Sequence, residues 1–284
     1  MADEIVQDAD AAYTSQLHLS MEKEARAGLV APLFYREVAI GPNTLAYKVS
    51  KHPVTADAGA ITDGTAMSNT TINPTAVTAT AAGVGLKGVI TKFSVEGSLL
   101  NVQETISNFG RALINKMDAD GCNLLDNFSS VAGASGADMS IASFLTALYT
   151  LEEAAEMSSL VSVMDPIQIK DLRTELVASA APVFAGGEGP IGGMLKANVA
   201  NGAFKGSLFG IPIYATKNAY DDSTNVWGAV FSADRALLWA WKWAPMAESI
   251  RAPEYPGDTL SVHACYGVVE VHDGAGVSLR TGRT

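Results

Sequence analysis

Asn101 to Phe128 reads NVQETISNFGRALINKMDADGCNLLDNF. Val102, Ile106, Phe109, Leu113, Met117, Leu124 and Phe128 recur there at steps of three, four and seven, which places them on one stripe of an α-helix. Gln103, Glu104, Asn108, Arg111, Lys116 and Asp118 fall on the opposite side. Asn101 stands where an amino-terminal cap belongs, and Glu104 three residues on completes a capping-box pattern. The stretch therefore predicts one long helix, roughly 40 Å at ~1.5 Å per residue. Such a helix has one apolar stripe and no helical neighbour next to it in sequence. Distant parts of the chain, or other chains, must cover it.

Composition points to other chains. Only 17% of the 284 residues are charged, while 48% are hydrophobic; ordinary soluble domains carry about 25% charge. So few charges imply a surface largely covered by further subunits. A compact monomer rich in Ala and Gly is the plainer alternative. Net charge is −11, and Lys and Arg are scattered with no run of three. That argues against a protein built to grip nucleic acid, although a container that encloses nucleic acid needs no basic patch. Cys122 and Cys265 are too few and too far apart for a disulfide scaffold; they read as buried free thiols in a reducing cytosol. The opening MADEIVQDAD is acidic, unlike a signal peptide. No stretch approaches the roughly 18 apolar residues of a membrane span. The expectation is a soluble protein made where it is used.

Around the helix the chain changes character several times. Residues 1 to 36 read as an arm, acidic at first, with a short helix over Met21 to Leu29. Leu45 to Val49 alternates as a strand, and Asp63-Gly64 signals a turn. Thr75 to Ala82 is β-prone, and Val89 to Val95 reads as a strand leading into the helix. Tyr47 to Val95 is thus a two-stranded excursion with a loose tip. Two strands alone are barely stable in water, so this excursion suits a neighbouring subunit. After an Ala/Gly/Ser-rich linker, Ser129 to Asp138, comes a helix over Ser140 to Ala155 with Ile141, Phe144, Leu145, Leu148, Leu151 and Ala155 on one face. Leu160 to Met164 is a short strand. Asp165-Pro166 opens a third helix as cap and first helical position. Phe184 to Phe209 reads as a glycine-studded loop. Strands are expected at Gly210 to Tyr214, Trp227 to Phe231, Leu237 to Trp243, Leu260 to Val271 and Gly276 to Thr281, with a turn at Tyr255 to Asp258. Trp239, Trp241 and Trp243 alternate, which would put three rings on one face of a strand. They read as packing against the long helix, with an exposed strip for a partner as the alternative.

No set of residues reads as a catalytic or ligand site. Gly187, Gly189 and Gly192 match a dinucleotide fingerprint, but no good strand precedes them and Pro190 interrupts the turn. Asp118 and Asp120 begin like a calcium loop, yet Asn123 and Ser129 stand where Gly and Glu are needed; they read as a solvated helix face. His263 and Cys265 share a strand face near His272, too few ligands for zinc. Gly133-Ala-Ser135-Gly-Ala137 lacks the final glycine of a nucleophile elbow. Catalytic, cofactor-binding and metal residues are therefore all expected to be none.

The order of parts is similar to that of the major capsid proteins of tailed bacteriophages, whose Hong Kong 97 type fold encapsulin nanocompartments share. Four stretches carry the resemblance. They are Val161 to Pro166 with Leu172-Arg173; Gly210 to Tyr214; Ala229 to Leu237 with Glu248 to Arg251; and Pro253 to Asp258 with Tyr266 to Val268 and Gly276-Val277, the last resembling a carboxy-terminal strand pair. The resemblance implies an α+β capsid fold divided as follows: arm 1–36, extended β-loop with its base strands 37–97, spine helix 98–135, axial domain 136–228, and peripheral-domain return strands 229–284. It implies a structural protein, not an enzyme, that assembles with itself through hexamers and pentamers into an icosahedral shell around phage DNA. Scaffolding, portal and decoration proteins are the implied partners. The implied place is the virion capsid, assembled in the bacterial cytoplasm. Some relatives join a β-loop Lys to a neighbour's Asn by an isopeptide bond; Lys48 and Lys51 sit near the loop base here, but no motif fixes a partner. An encapsulin-like shell around cargo protein is the alternative within the fold. A soluble nucleotide-binding α/β enzyme using the Gly187 loop is the alternative outside it.

Overall fold

The computed structural model describes residues 31–51, 75–91, 102–154, 156–179, 203–252 and 257–283. A 3-10 turn at Ala31–Phe34 leads into β1 (Arg36–Ala39), followed by β2 (Ala46–Lys51), β3 (Thr75–Thr80) and β4 (Ala82–Thr91). Helix α1 spans Val102–Cys122. Then come β5 (Val131–Ala132), α2 (Ile141–Glu153), β6 (Leu160–Met164) and α3 (Pro166–Ser179). The chain closes with β7 (Phe204–Leu208), β8 (Ile211–Ala215), β9 (Asn225–Ser232), β10 (Leu237–Ala252), β11 (Gly257–Glu270) and β12 (Gly276–Gly282).

These strands form a four-stranded sheet in the order β1-β10-β11-β4, a six-stranded sheet in the order β5-β12-β9-β6-β8-β7, and the separate hairpin β2-β3. The period-two alternation of strands divides the six-stranded sheet into two buried faces. Val161, Val163, Ala229 and Phe231 face one way, where Leu113 and Met117 of α1 meet them together with Trp239, Val262, Ala264 and Tyr266 of the four-stranded sheet. Met164, Ile213, Val230, Val277 and Leu279 face the other way and are covered by Phe144, Leu148 and Leu151 of α2 and Ile169, Leu172 and Leu176 of α3. Helix α1 is thus sandwiched between two sheets of its own chain. At roughly 1.5–3 kcal/mol per large apolar side chain buried, this double coverage holds the molecule together.

The cap expected at Asp165 forms, and further contacts fix α2 and α3. Ser140 caps α2, its hydroxyl accepting from the Ser143 N–H. Asp165 caps α3, its Oδ1 accepting from the Ile167 N–H at 2.7 Å. Gln168 then ties α3 to the sheet, its Nε2 donating to the carbonyls of Val226 and Leu279. Gly228 must lack a side chain there, because a Cβ would stand 2.5 Å from the Gln168 amide oxygen and 2.6 Å from the Val163 carbonyl.

Other expectations need correction. The long helix stops at Cys122, and its 21 residues give about 32 Å, not 40. Its last bonds tighten from Asn123 N–H to Ala119 carbonyl into Leu124 to Gly121 and Leu125 to Cys122, the 3-10 pattern that ends helices. Leu125 and Phe128 enter the core from irregular chain. The strand before α1 lies at Ala82–Thr91, earlier than expected, and pairs with β11 rather than with β2 or β3. Phe204–Leu208 is a strand where a loop was expected. Leu145, expected on the buried face of α2, is exposed. The expected carboxy-terminal strand pair does not form: β11 belongs to the four-stranded sheet and β12 pairs with β5 and β9 in the six-stranded one. Asn101, residues 21–29, the turn at Asp63-Gly64 and Gly187 to Gly192 lie outside the described residues.

Candidate assembly surfaces

Asp118 is the residue the sequence misplaced most. Read as solvated, it is 1% exposed. Its Oδ1 accepts from the Ala31 N–H at 2.8 Å, and its Oδ2 accepts from Thr216 Oγ1 at 2.6 Å and Asn218 Nδ2 at 3.0 Å. One carboxylate of α1 thus fixes the start of the 3-10 turn at Ala31–Phe34 and the loop leaving β8. A buried carboxylate is tolerated where such donors replace its water. Nearby, Tyr35 donates to the Gly121 carbonyl and Tyr266 donates to Asp120 Oδ2, each at 2.7 Å. Burial pushes the Tyr266 hydroxyl well up, and the bond to Asp120 adds to the shift. The signal that could have found this arrangement is Gly121. A Cβ there would come within 2.6 Å of Ala31 Cβ and 3.0 Å of the Trp239 ring; a glycine inside a helix costs about 1 kcal/mol and marks close approach.

The three tryptophans do not share a face. Trp239 and Trp241 do, their rings 5.4 Å apart and packed with Tyr266. Register shifts between Trp241 and Trp243 and again between Trp243 and Met246 insert an extra residue each time, which turns the alternation over. Trp243 therefore stands opposite Cys265, on the other face, and is 51% exposed. Trp239 alone is fully buried, against α1.

The other candidates are dispersed. Cys122 and Cys265 are free, buried and in different clusters. Burial, helped by the negative charge of Asp118, holds the Cys122 thiol well above its ordinary range. His263 lies 4.0 Å from Glu248, whereas His272 lies 4.0 Å from Glu156, which Arg235 also holds at 2.6 Å. Ser135 donates to Asn225 Oδ1 in a loop contact. Lys48 and Lys51 lie on β2 opposite Thr78 and Thr75. Among the described residues no group of three His, Cys, Asp or Glu is placed to hold a metal, and no described helix is long and apolar enough to cross a membrane.

What the geometry does offer is surface. Among the described residues hairpin β2-β3 pairs with no other strand, and its base rests on Leu238, Ala240 and Cys265 through Ala79 and Ala81. Leu45 beside it is 56% exposed. On the far part of the four-stranded sheet, Leu86, Val89, Trp243 and Ile250 are exposed apolar side chains. Beyond Trp241, β10 has no strand partner on its β1 side among the described residues. Tyr149 and Leu145 stand exposed on α2.

Two layered sheets around one long helix, with a separate two-stranded hairpin resting on one of them, define the class: the Hong Kong 97 type capsid fold. The chain is similar to the capsid structure of cyanophage P-SCSP1u, at 13% identity over 88% of this chain and 87% of that one, with TM-score 0.62. It is similar to the capsid of Helicobacter pylori bacteriophage KHP30, at 12% identity over 88% of each chain, with TM-score 0.64. A virus-like particle from Pyrococcus furiosus matches at 13% identity over 94% of this chain and 99% of that one, with TM-score 0.60. No family model matches the chain, and no curated protein matches it.

Proposed function

We propose that the chain is the major capsid protein of a tailed bacteriophage. It assembles with itself through hexamers and pentamers into an icosahedral shell around the genome. The observation that carries this reading is the match to capsid chains over nearly their full length as well as its own. The exposed apolar side chains on the hairpin, the four-stranded sheet and α2 support it, because a monomer gains nothing from them and a shell subunit buries them. In this reading residues 1–36 are the arm, the β2-β3 excursion is the extended loop, and α1 is the spine of a peripheral domain with β10 and β11. Residues 136–228, with α2, α3 and strands β6 to β8, are the axial domain, and residues 229–284 return to the peripheral domain. The protein has a structural role and no catalytic one. It meets scaffolding and portal proteins during assembly in the host cytoplasm, takes a decoration protein in the mature virion, and encloses DNA without reading its sequence.

The chain is also similar to a virus-like particle over 99% of that chain, so a closed shell of this fold need not be a phage head, and the second reading is an encapsulin-like shell around cargo protein. The contents of particles purified from the native source separate the two. Nuclease-protected DNA of uniform length supports the phage reading; a stoichiometric folded protein in place of DNA supports the compartment.

A further inference from the structure

The layer formed by α2, α3 and the six-stranded sheet carries two unlike surfaces at opposite corners. The first is a groove of about 480 Å³ lined by Pro166, Ile169, Lys170, Arg173, Thr174, Lys205 and Ala215. Its floor is apolar, its rim is basic, and among the described residues none that lines it is acidic. Helix α3 is two-sided in charge: Asp171 and Glu175 turn toward α2, whose neighbouring Met139 and Ile141 N–H groups donate to them. Lys170 pairs with Asp171 at 3.3 Å and remains 62% exposed. Arg173 donates to the Lys205 carbonyl, yet its buried Nε has no acceptor.

The second surface is the carboxy-terminal half of α2. Tyr149, Glu152 and Glu153 follow at steps of three and four and lie on one stripe. All three are exposed, Tyr149 by 63%. The helix IASFLTALYTLEE contains no basic residue. A tyrosine beside two carboxylates on a helix complements an apolar floor beneath three cations.

Their placement prevents the two from meeting within one chain. The groove lies where β6 and β8 end, next to Pro166 and Ala215, and against the edge strand β7. Helix α2 packs on β5 and β12 and leads to Glu156, which Arg235 holds just beyond the end of β9. Because β9 is antiparallel to β6 and to β12, that is the end where β6 and β12 begin. The edge strands β5 and β7 are five strand spacings apart, roughly 24 Å. Complementary patches at opposite corners make a head-to-tail contact, which closes into a ring when the rotation allows.

We propose that neighbouring copies dock at this layer, with Tyr149, Glu152 and Glu153 of one copy entering the groove framed by Lys170, Arg173 and Lys205 of the next. The inference rests on the assembly reading and assigns the residues of one contact inside each capsomer.

Cysteines placed at Tyr149 and Thr174 of the full chain test it, since Cys122 and Cys265 are buried. Oxidised capsomers are expected to give, on denaturing non-reducing gels, a ladder of linked chains up to five or six. Capsomers of normal mass that yield no ladder would overturn this inference and leave the assembly reading standing. Wild-type chains that never associate would overturn both. A second arm needs no new thiol. Glu152→Lys with Glu153→Lys is expected to cut capsomer yield at least tenfold, and adding Lys170→Glu with Lys205→Glu is expected to restore it. Unchanged yield in the first variant, or no recovery in a folded second one, would count against the contact.

Discussion

Thr216 donates its hydroxyl to Asp118 across 2.6 Å, joining the last two turns of α1 to the loop that leaves β8. The same carboxylate receives the Ala31 N–H and the Asn218 amide. Three segments far apart in sequence therefore share one buried acceptor. Asp118→Ala leaves three donors without it, and burial without a partner costs about 1–3 kcal/mol per group, partly recovered by relaxation. Urea unfolding is expected to show a loss of about 3 kcal/mol, with Thr216→Val losing less. A loss below about 0.5 kcal/mol for Asp118→Ala, the size of an ordinary surface substitution, would mean that the three segments hold together without it.

The tryptophans separate folding from association. Trp239 is buried against α1 and Tyr266, so Trp239→Ala is expected to cost about 4 kcal/mol of stability. Trp243 is half exposed beyond the bulge. Trp243→Ala is expected to leave the unfolding midpoint of the isolated chain unchanged and to lower particle yield. Equal midpoints for the two variants would contradict the register drawn for β10.

Acid should act through Asp222. Hydrogen bonds from the Asn225 backbone and side chain, then from the Thr224 N–H and the Trp227 indole, hold its carboxyl down at about 2. The unfolded value is about 3.9, so the folded chain binds fewer protons between the two. Asp222 therefore contributes stability above about pH 4 that is lost as pH falls toward about 2. Half-buried Asp126 and Asp165 are shifted upward by desolvation and work in the opposite sense, so the comparison must be with Asp222→Asn. That variant is expected to show a shallower fall of thermal midpoint between pH 4 and pH 2. Parallel curves would dismiss the Asp222 turn as a source of acid sensitivity.

Both thiols should be silent in the folded chain. Cys122 is 1% and Cys265 3% exposed, and the Cys122 thiol is held protonated by burial and by Asp118. Ellman's reagent is expected to label neither until denaturant is added, then both. Rapid labelling of one thiol in the native chain would show that its cluster opens.

Much of this was legible from residue spacing. The helical periodicity of Ile106, Leu113 and Met117, the cap at Asp165, and the strands around Val163, Ile213 and Val230 all follow from short-range patterns. What was not legible depended on distant partners. Asp118 looks solvated in sequence because its three donors lie about a hundred residues away in either direction. The alternation of tryptophans failed at an inserted residue opposite Tyr266 and Cys265; Pro245, which cannot donate to a ladder, marked the second irregularity. The strand at Gly276–Gly282 could be read, but not its choice of sheet, because its partner Val131–Ala132 is two residues long and sits in a stretch that reads as linker.

The most direct test of the central claim is the mass of the purified full chain by light scattering with negative-stain imaging, alone and with a phage scaffolding protein supplied. The account predicts rings of five and six subunits, or shells tens of nanometres across. A folded chain that stays monomeric under both conditions, and whose thermal midpoint rises when a nucleotide is added, would contradict it.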